Sequence, residues 1–415
     1  MTREPTRRRR LWSVFPASTR DATDAIVANF LLHWFPARVR AASIAWTPSL
    51  WLGTVSWVLF VLLLLTGLPL MVFYVPSTRE AYQSIKDIEH VVSFGWWFRA
   101  AHRVAAHLMV IAVTLHVARV FLTGAYKNDA EREQHREWNW AIGIGLLAGT
   151  VLLSFTGYLL PWDQLAYWAV TVSMNIVGAV PVVGGVLREL VIGGRDVGQP
   201  ALMRFYLLHI VALPIAVAAL FGYHMWRIRK DGGLAHGRQR VPGGLPGPEG
   251  RTAAQFSSGT VDAIPSVIVR VAVVTLATWL AVTVLAMAIP SPLLGPANPL
   301  LTPNPAKAPW YFLWLQELVA DTTVRIGPVS INGALVGGLL VPAVLLVLAT
   351  LWPWLDRSPA TAAGVWLAPE RRTQVIVFAA VACAVVVLTV AGLLRGPSWH
   401  LYWPWQPWPD LPVRF

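Results

Sequence analysis

Seven runs of about 20 or more predominantly apolar residues set the fold class before any other feature is read. They fall at roughly 51–76, 99–123, 140–160, 201–226, 267–290, 332–355 and 374–394. A hydrocarbon core about 30 Å thick is crossed by about 20 helical residues, and a helix bonds its own backbone N–H and C=O groups where no water can. The expected fold is an all-α integral membrane protein with seven transmembrane helices. Composition agrees: of 415 residues 56% are apolar and 13% charged, a balance typical of membrane chains.

Lys and Arg set the orientation, because positively charged flanks stay cytoplasmic. The segments on the N-terminal side (1–50, 124–139, 227–266, 356–373) hold 20 of them, against 8 on the other side (77–98, 161–200, 291–331, 395–415). Each set totals 124 residues, so length does not produce the difference. The N-terminus is expected in the cytoplasm and the C-terminus outside. The net charge of +12 sits in membrane flanks such as Arg7–Arg10, which points to anionic lipid and not to nucleic acid. No removable signal peptide is expected. The lone cysteine, Cys383, excludes an internal disulfide, an iron–sulfur cluster ligated by this chain, and a covalent CxxCH haem.

Four spans precede residue 230 and three follow 265, separated by DGGLAHGRQRVPGGLPGPEG, a Gly/Pro linker. The expected organisation is a basic segment 1–50, a four-helix module 51–230, a linker 231–266, and a three-helix module 267–394 with an outer loop 291–331. A tail rich in tryptophan and proline closes the chain at 395–415. Residues 161–200 are too polar and broken to cross, and are read as short helices on the outer surface.

No Asp or Glu lies inside any span, which argues against a carboxylate-relay pump. Histidines do. His102 and His116 are 14 residues apart on span two, and His209 and His224 are 15 apart on span four. At about 1.5 Å and 100° per residue, each pair spans about 21–22 Å and stays broadly on one face. Both spans run inward, so His102 is level with His209 and His116 with His224. Two stacked pairs are what two bis-histidine haems require. His107 is turned about 140° from His102 and is read as a packing residue.

Glycine repeats the spacing. Gly53 and Gly67 on span one, and Gly143 and Gly157 on span three, are again 14 apart, and a residue without a side chain lets a flat macrocycle approach the backbone. Arg99 and Arg103 bracket His102, Arg119 follows His116, and Arg229 with Lys230 follows His224. Haem propionates favour such cations.

The elements FGWWFRAAHR, LHVARVFLTGAYK, SFTGYLLPWDQLAYWAV and VGQPALMRFYLLHIVALP resemble the cytochrome b family of quinol:cytochrome c and plastoquinol:plastocyanin oxidoreductases. The similarity is greatest to the plastoquinol branch, where a four-helix cytochrome b pairs with a three-helix subunit IV. The resemblance implies a four-helix dihaem bundle, with His102 and His209 on an outer haem b and His116 and His224 on an inner one. It also implies quinol oxidation near the outer haem, quinone reduction on the cytoplasmic side, and a proton gradient as the product. Expected partners are a Rieske-type iron–sulfur subunit and/or a c-type cytochrome, in a homodimer in a prokaryotic inner membrane.

Two departures stand out. The Pro-Glu-Trp-Tyr motif, whose glutamate takes a quinol proton in the family, reads here Ala308-Pro309-Trp310-Tyr311. Glu317, two turns past Trp310, is the candidate substitute, with Asp163 and Asp321 behind it. Where the plastoquinol branch anchors an extra covalent haem by a cysteine, this chain has Trp51, so no haem held in that way is expected. Two alternatives stay open: a dihaem membrane anchor serving a peripheral enzyme without a bifurcated cycle, and a haem-free transporter or scaffold.

Overall fold

The computed structural model describes residues 38–128, 134–231, 233–234, 260–403 and 405–406. Most of the basic segment, most of the Gly/Pro linker and the end of the tail lie outside the described residues. The helices that place the site are α1 (Leu52–Phe73), α2 (Ala81–His90), α3 (Gly95–Thr123), α4 (Arg136–Leu159), α5 (Gln164–Gly178), α6 (Gly184–Ile192), α7 (Gln199–Lys230), α8 (Ala263–Ala288), α9 (Trp310–Thr322), α10 (Gly333–Leu355) and α11 (Arg372–Leu394). Seven of them, α1, α3, α4, α7, α8, α10 and α11, are long and apolar enough to cross a membrane. Their bounds agree with the expected spans to within a few residues.

Lipid supplies no hydrophobic drive between helices, so close backbone approach through small side chains carries the packing. Ala100, Ala101, Ala105 and Ala112 of α3 are buried with Leu59 and Leu62 of α1, while Val217 of α7 and Val282 of α8 complete the same core. Leu64, Leu65, Leu68 and Val72 of α1 are exposed on the opposite side, where hydrocarbon would meet them.

Connections alternate between a loop-rich face (74–94, 160–198, 289–332, 395–403) and a basic face. On the loop-rich face α5 and α6 are the short surface helices expected between spans three and four. Asp163 caps α5, accepting from Ala166 N at 2.9 Å and from Leu294 N at 3.2 Å. Gln164 N donates to Gly295 O, and Ala297 N to Trp162 O, so the loop after α8 is stitched to the start of α5.

On the basic face Arg371, fully buried, donates to Phe121 O, Leu122 O and the Tyr126 hydroxyl. Tyr126 donates in turn to Asp356 at 2.7 Å, and Lys127 approaches the same carboxylate at 3.5 Å. This buried network ties α3 to α10 and α11. An antiparallel ribbon of β1 (Arg38–Arg40) and β2 (Thr260–Asp262) joins the chain ahead of α1 to the chain ahead of α8.

Two of the spanning helices contain π-helical turns, Leu208–Ala212 in α7 and Val336–Leu340 in α10. Pro214 and Pro342 stand two residues beyond their ends. Proline has no N–H to return to the carbonyl four residues back, and a wider turn absorbs one extra residue without ending the helix.

Candidate functional site

α3 projects His102 and His116 toward α7, which projects His209 and His224 back. The ring centroids of His102 and His209 are 6.1 Å apart at 74°, and those of His116 and His224 are 6.4 Å apart at 78°. A first-row metal–imidazole bond of about 2.0–2.1 Å, with about 1.1 Å more from nitrogen to ring centre, would place two imidazoles on opposite sides of one metal about 6.3 Å apart. Each pair is spaced for one metal. Among the described residues no group of three or more His, Cys, Asp or Glu could hold a bare ion. A metal held between two such imidazoles would need further ligands, which a metallo-macrocycle would supply.

The π turn explains the unequal spacings. Fifteen residues of plain α-helix overshoot four turns by about 60°. The turn that contains His209 is under-wound, and both imidazoles of α7 thereby face their partners on α3.

Ring orientation is fixed from behind at the pair nearer the loop-rich face. Thr66 donates its hydroxyl to Leu62 O at 2.7 Å, leaving its oxygen to accept from His102 Nδ1 at 3.0 Å. Thr156 likewise donates to Leu152 O, and His209 Nδ1 lies 3.3 Å from its oxygen and 3.1 Å from Leu153 O. Carbonyl oxygens only accept, so Nδ1 carries the proton and Nε2 keeps its lone pair for a metal. Thr66 and Thr156 were not singled out in the sequence. The repeated Thr-Gly at 66–67 and 156–157 was the signal.

The four glycines each face one ring. A Cβ built on Gly157 would stand 2.5 Å from His209 Cε1, on Gly67 3.2 Å from His102 Cε1, on Gly53 3.3 Å from His116 Cε1, and on Gly143 3.6 Å from His224 Cε1. At the basic face His116, His224, Gly143, Arg119, Asn139 and Trp140 line a hollow of about 650 Å³ that includes its open mouth.

The cations divide. Arg119 is buried in the wall of that hollow. Arg229 is half-buried, and Lys230, exposed, lies 4.8 Å from the ring centre of Trp226. Arg103 is half-buried and donates to Pro290 O at 2.9 Å. The Arg99 guanidinium is committed elsewhere, to both Glu89 oxygens at 3.1 Å and to Ser291 O and Pro292 O.

Near the loop-rich face α9 brings Trp310 and Tyr311 onto α3. Their partner is His107: Trp310 Nε1 donates to His107 Nδ1 at 3.0 Å, and the Tyr311 ring meets the imidazole edge-on at 5.9 Å. Burial pushes the Tyr311 hydroxyl up to about 12, so it stays protonated. The carboxylates lie elsewhere. Glu317 is buried, with Arg395 Nε at 2.9 Å from Oε1, Arg395 Nη2 on the same oxygen and Trp399 Nε1 at 3.1 Å from Oε2. Asp321 shares Arg395 at 3.2 Å. Burial pushes the Asp163 carboxyl up, while its two backbone donors, Arg99 and Arg103 pull it down.

Residues 41–232 match the family described as cytochrome b/b6/petB, and residues 296–402 match cytochrome b (C-terminal)/b6/petD. Cytochrome b6 of Synechococcus elongatus (strain ATCC 33912 / PCC 7942 / FACHB-805) is 41% identical over 181 residues, which is 44% of this chain and 81% of the relative. This chain belongs to the cytochrome b family. The b6 of Prochlorothrix hollandica is 42% identical over 181 residues, covering 44% of this chain and 79% of the relative. A solved structure titled "Hyperthermophilic respiratory Complex III" superposes with a TM-score of 0.64 at 26% identity, over 82% of this chain and 83% of that chain. A b6-like part and a subunit IV-like part are thus fused in one polypeptide of a quinol oxidoreductase family.

Proposed function

We propose that this chain is the dihaem cytochrome b of a bc-type complex, oxidising quinol at the loop-rich face and delivering electrons to a quinone site at the basic face. The observation that carries the reading is the pair of imidazole gaps of 6.1 and 6.4 Å, each faced by two glycines. Two non-covalent b haems, when bound, supply a one-electron relay through the apolar interior. His102 and His209 hold one and His116 and His224 the other, 14 residues or about 21 Å along α3. Thr66 and Thr156 hold the imidazoles of the first pair in register. Arg103, Arg119, Arg229 and Lys230 are the cations that would face the propionates.

At the loop-rich face Trp310 and Tyr311 line the quinol pocket, and Arg99 braces its wall through the 291–292 carbonyls. Glu317 is read as a brace between α9 and the 395–399 segment, and Asp163 as the cap of α5. The loop-rich face lies outside, the N-terminus is cytoplasmic, and the membrane is a prokaryotic inner membrane. A Rieske-type iron–sulfur subunit and/or a c-type cytochrome docks outside, and the complex is dimeric.

The test is a redox titration with pyridine-haemochrome quantitation on the wild type and on His116→Ala. Two b haems per chain with separated potentials, one of them lost in the variant, support the reading. One haem, or a variant that keeps both, sinks the transmembrane path. The missing motif glutamate favours a dihaem anchor without a bifurcated cycle, but an anchor gives no reason for α9 to close Trp310 and Tyr311 over α3.

A further inference from the structure

Every carboxylate proposed from sequence to replace the motif glutamate is occupied. Both oxygens of Glu317 are bonded to Arg395 and Trp399, Asp321 shares that arginine, and Asp163 accepts two backbone N–H groups. Among the described residues in contact with Trp310 and Tyr311, one side chain is an imidazole, the group that most readily takes up and releases a proton near neutral pH. It is His107, half-buried on α3 and five residues from His102. We propose that His107 is the proton acceptor for quinol at this pocket, in the role that the glutamate has elsewhere in the family. The proposal rests on the reading of the loop-rich face as the quinol-oxidising side.

Indole N–H can only donate. The 3.0 Å bond from Trp310 Nε1 therefore makes His107 Nδ1 an acceptor, with the ring proton on Nε2. Trp310 is 41% exposed, so its indole occupies the imidazole lone pair from a position open to displacement by a quinol hydroxyl. The charged and titratable groups around His107 are Arg103, one turn earlier on α3, and Tyr311 from α9. Tyr158 of α4 stands behind them, within electrostatic reach of both.

Oxidation of one quinol to quinone breaks two O–H bonds and releases two protons and two electrons. The electrons would leave singly, one to an iron–sulfur or cytochrome partner and one to the b haem that His102 and His209 would hold. One hydroxyl proton passes to His107 Nδ1, forming imidazolium, and the other leaves to water on the partner side. The new Nδ1–H cannot accept from Trp310, so proton capture breaks the His107–Trp310 bond. Loss of the proton to outside water restores it.

The experiment uses the assembled complex with decylplastoquinol as the probe, comparing the wild type with His107→Gln, His107→Ser and Glu317→Gln. His107→Gln is expected to keep haem content and the dithionite-reduced spectrum, to change KM little, and to lower kcat about 100-fold or more while losing the acidic limb of the pH–kcat profile. Glu317→Gln is expected to keep that limb. Infrared difference spectra of the wild type labelled with 15N-histidine are expected to show an imidazolium band on quinol addition, absent from both His107 variants. If His107→Gln or His107→Ser turns over within about threefold of the wild type with the limb intact, or if the wild type shows no such band, the proposal is overturned. Trp310→Ala and Tyr311→Ala separate the two readings. If they alter decylplastoquinol oxidation while the His107 variants do not, only the proton role falls. If none of them alters it, the quinol-site reading falls as well.

Discussion

Gly157→Ala is the most economical way to break one histidine pair and leave the other. A Cβ at this position meets His209 Cε1 at 2.5 Å, Nδ1 at 3.0 Å and Nε2 at 3.1 Å. The imidazole must withdraw about 0.9 Å to reach ordinary van der Waals contact, and small-to-large strain of this kind costs about 1–3 kcal/mol. Its bonds to Leu153 O and to Thr156 oppose the movement. In an unconstrained helix interior, glycine to alanine stabilises by about 0.5–1 kcal/mol, so any loss must come from the ring. At about 1.4 kcal/mol per factor of ten, haem at the His102–His209 pair should be retained about 5- to 150-fold less well. The assay is pyridine-haemochrome stoichiometry with a potentiometric titration of the purified protein, read beside Gly67→Ala, Gly53→Ala and Gly143→Ala. With Cβ distances of 3.2, 3.3 and 3.6 Å, their effects should fall in that order below Gly157→Ala. A Gly157→Ala protein with two haems and unshifted potentials, or a series led by Gly143→Ala, would refute the reasoning.

Two further outcomes are expected. Thr156→Val keeps the side-chain shape but removes the oxygen beside His209 Nδ1, and loss of such a supporting bond typically weakens metal affinity about 10–100-fold; a titration should show the shift confined to one haem. Asp356→Asn leaves the buried Arg371 without its carboxylate, a cost of about 3–5 kcal/mol, read as a lower Tm in detergent. Burial pushes the Asp356 carboxyl up, but the Tyr126 hydroxyl, Ser358 and Lys127 hold it down at about 2 against an ordinary 3.8. A carboxylate depressed on folding stabilises fully above its unfolded value and loses that contribution as pH falls through the folded one. The wild-type Tm should therefore drop between about pH 4 and pH 2 and the variant should lack that step. A step of equal size in Asp356→Asn would assign it to other groups.

What the sequence made legible follows from where each residue finds its partner. Spans are legible because a bilayer asks only for length and apolarity, and the histidine and glycine pairs because one helical period relates them. The π turn at Leu208–Ala212 is not legible from periodicity, since periodicity assumes the regular helix that it interrupts, although the 15-residue spacing and Pro214 were its trace. The contacts of Arg99, Glu317 and His107 are not legible for a different reason. Arg99 and His107 find Ser291, Pro292 and Trp310 where the C-terminal chain closes on the first four spans, and Glu317 finds Arg395 across the C-terminal part itself. Arg99–Ser291, Arg103–Pro290 and His107–Trp310 all join the first four spans to the chain beyond the linker, and Tyr126–Asp356, Arg371–Phe121 and Trp140–Ala349 do the same on the basic face. The imidazole gaps lie between α3 and α7 of the first part alone, whereas the Trp310–Tyr311 pocket needs both. Fusion in one chain holds the second part at high effective concentration against the first. A break in the 231–266 linker should therefore leave the histidine pairs intact and act on the quinol pocket.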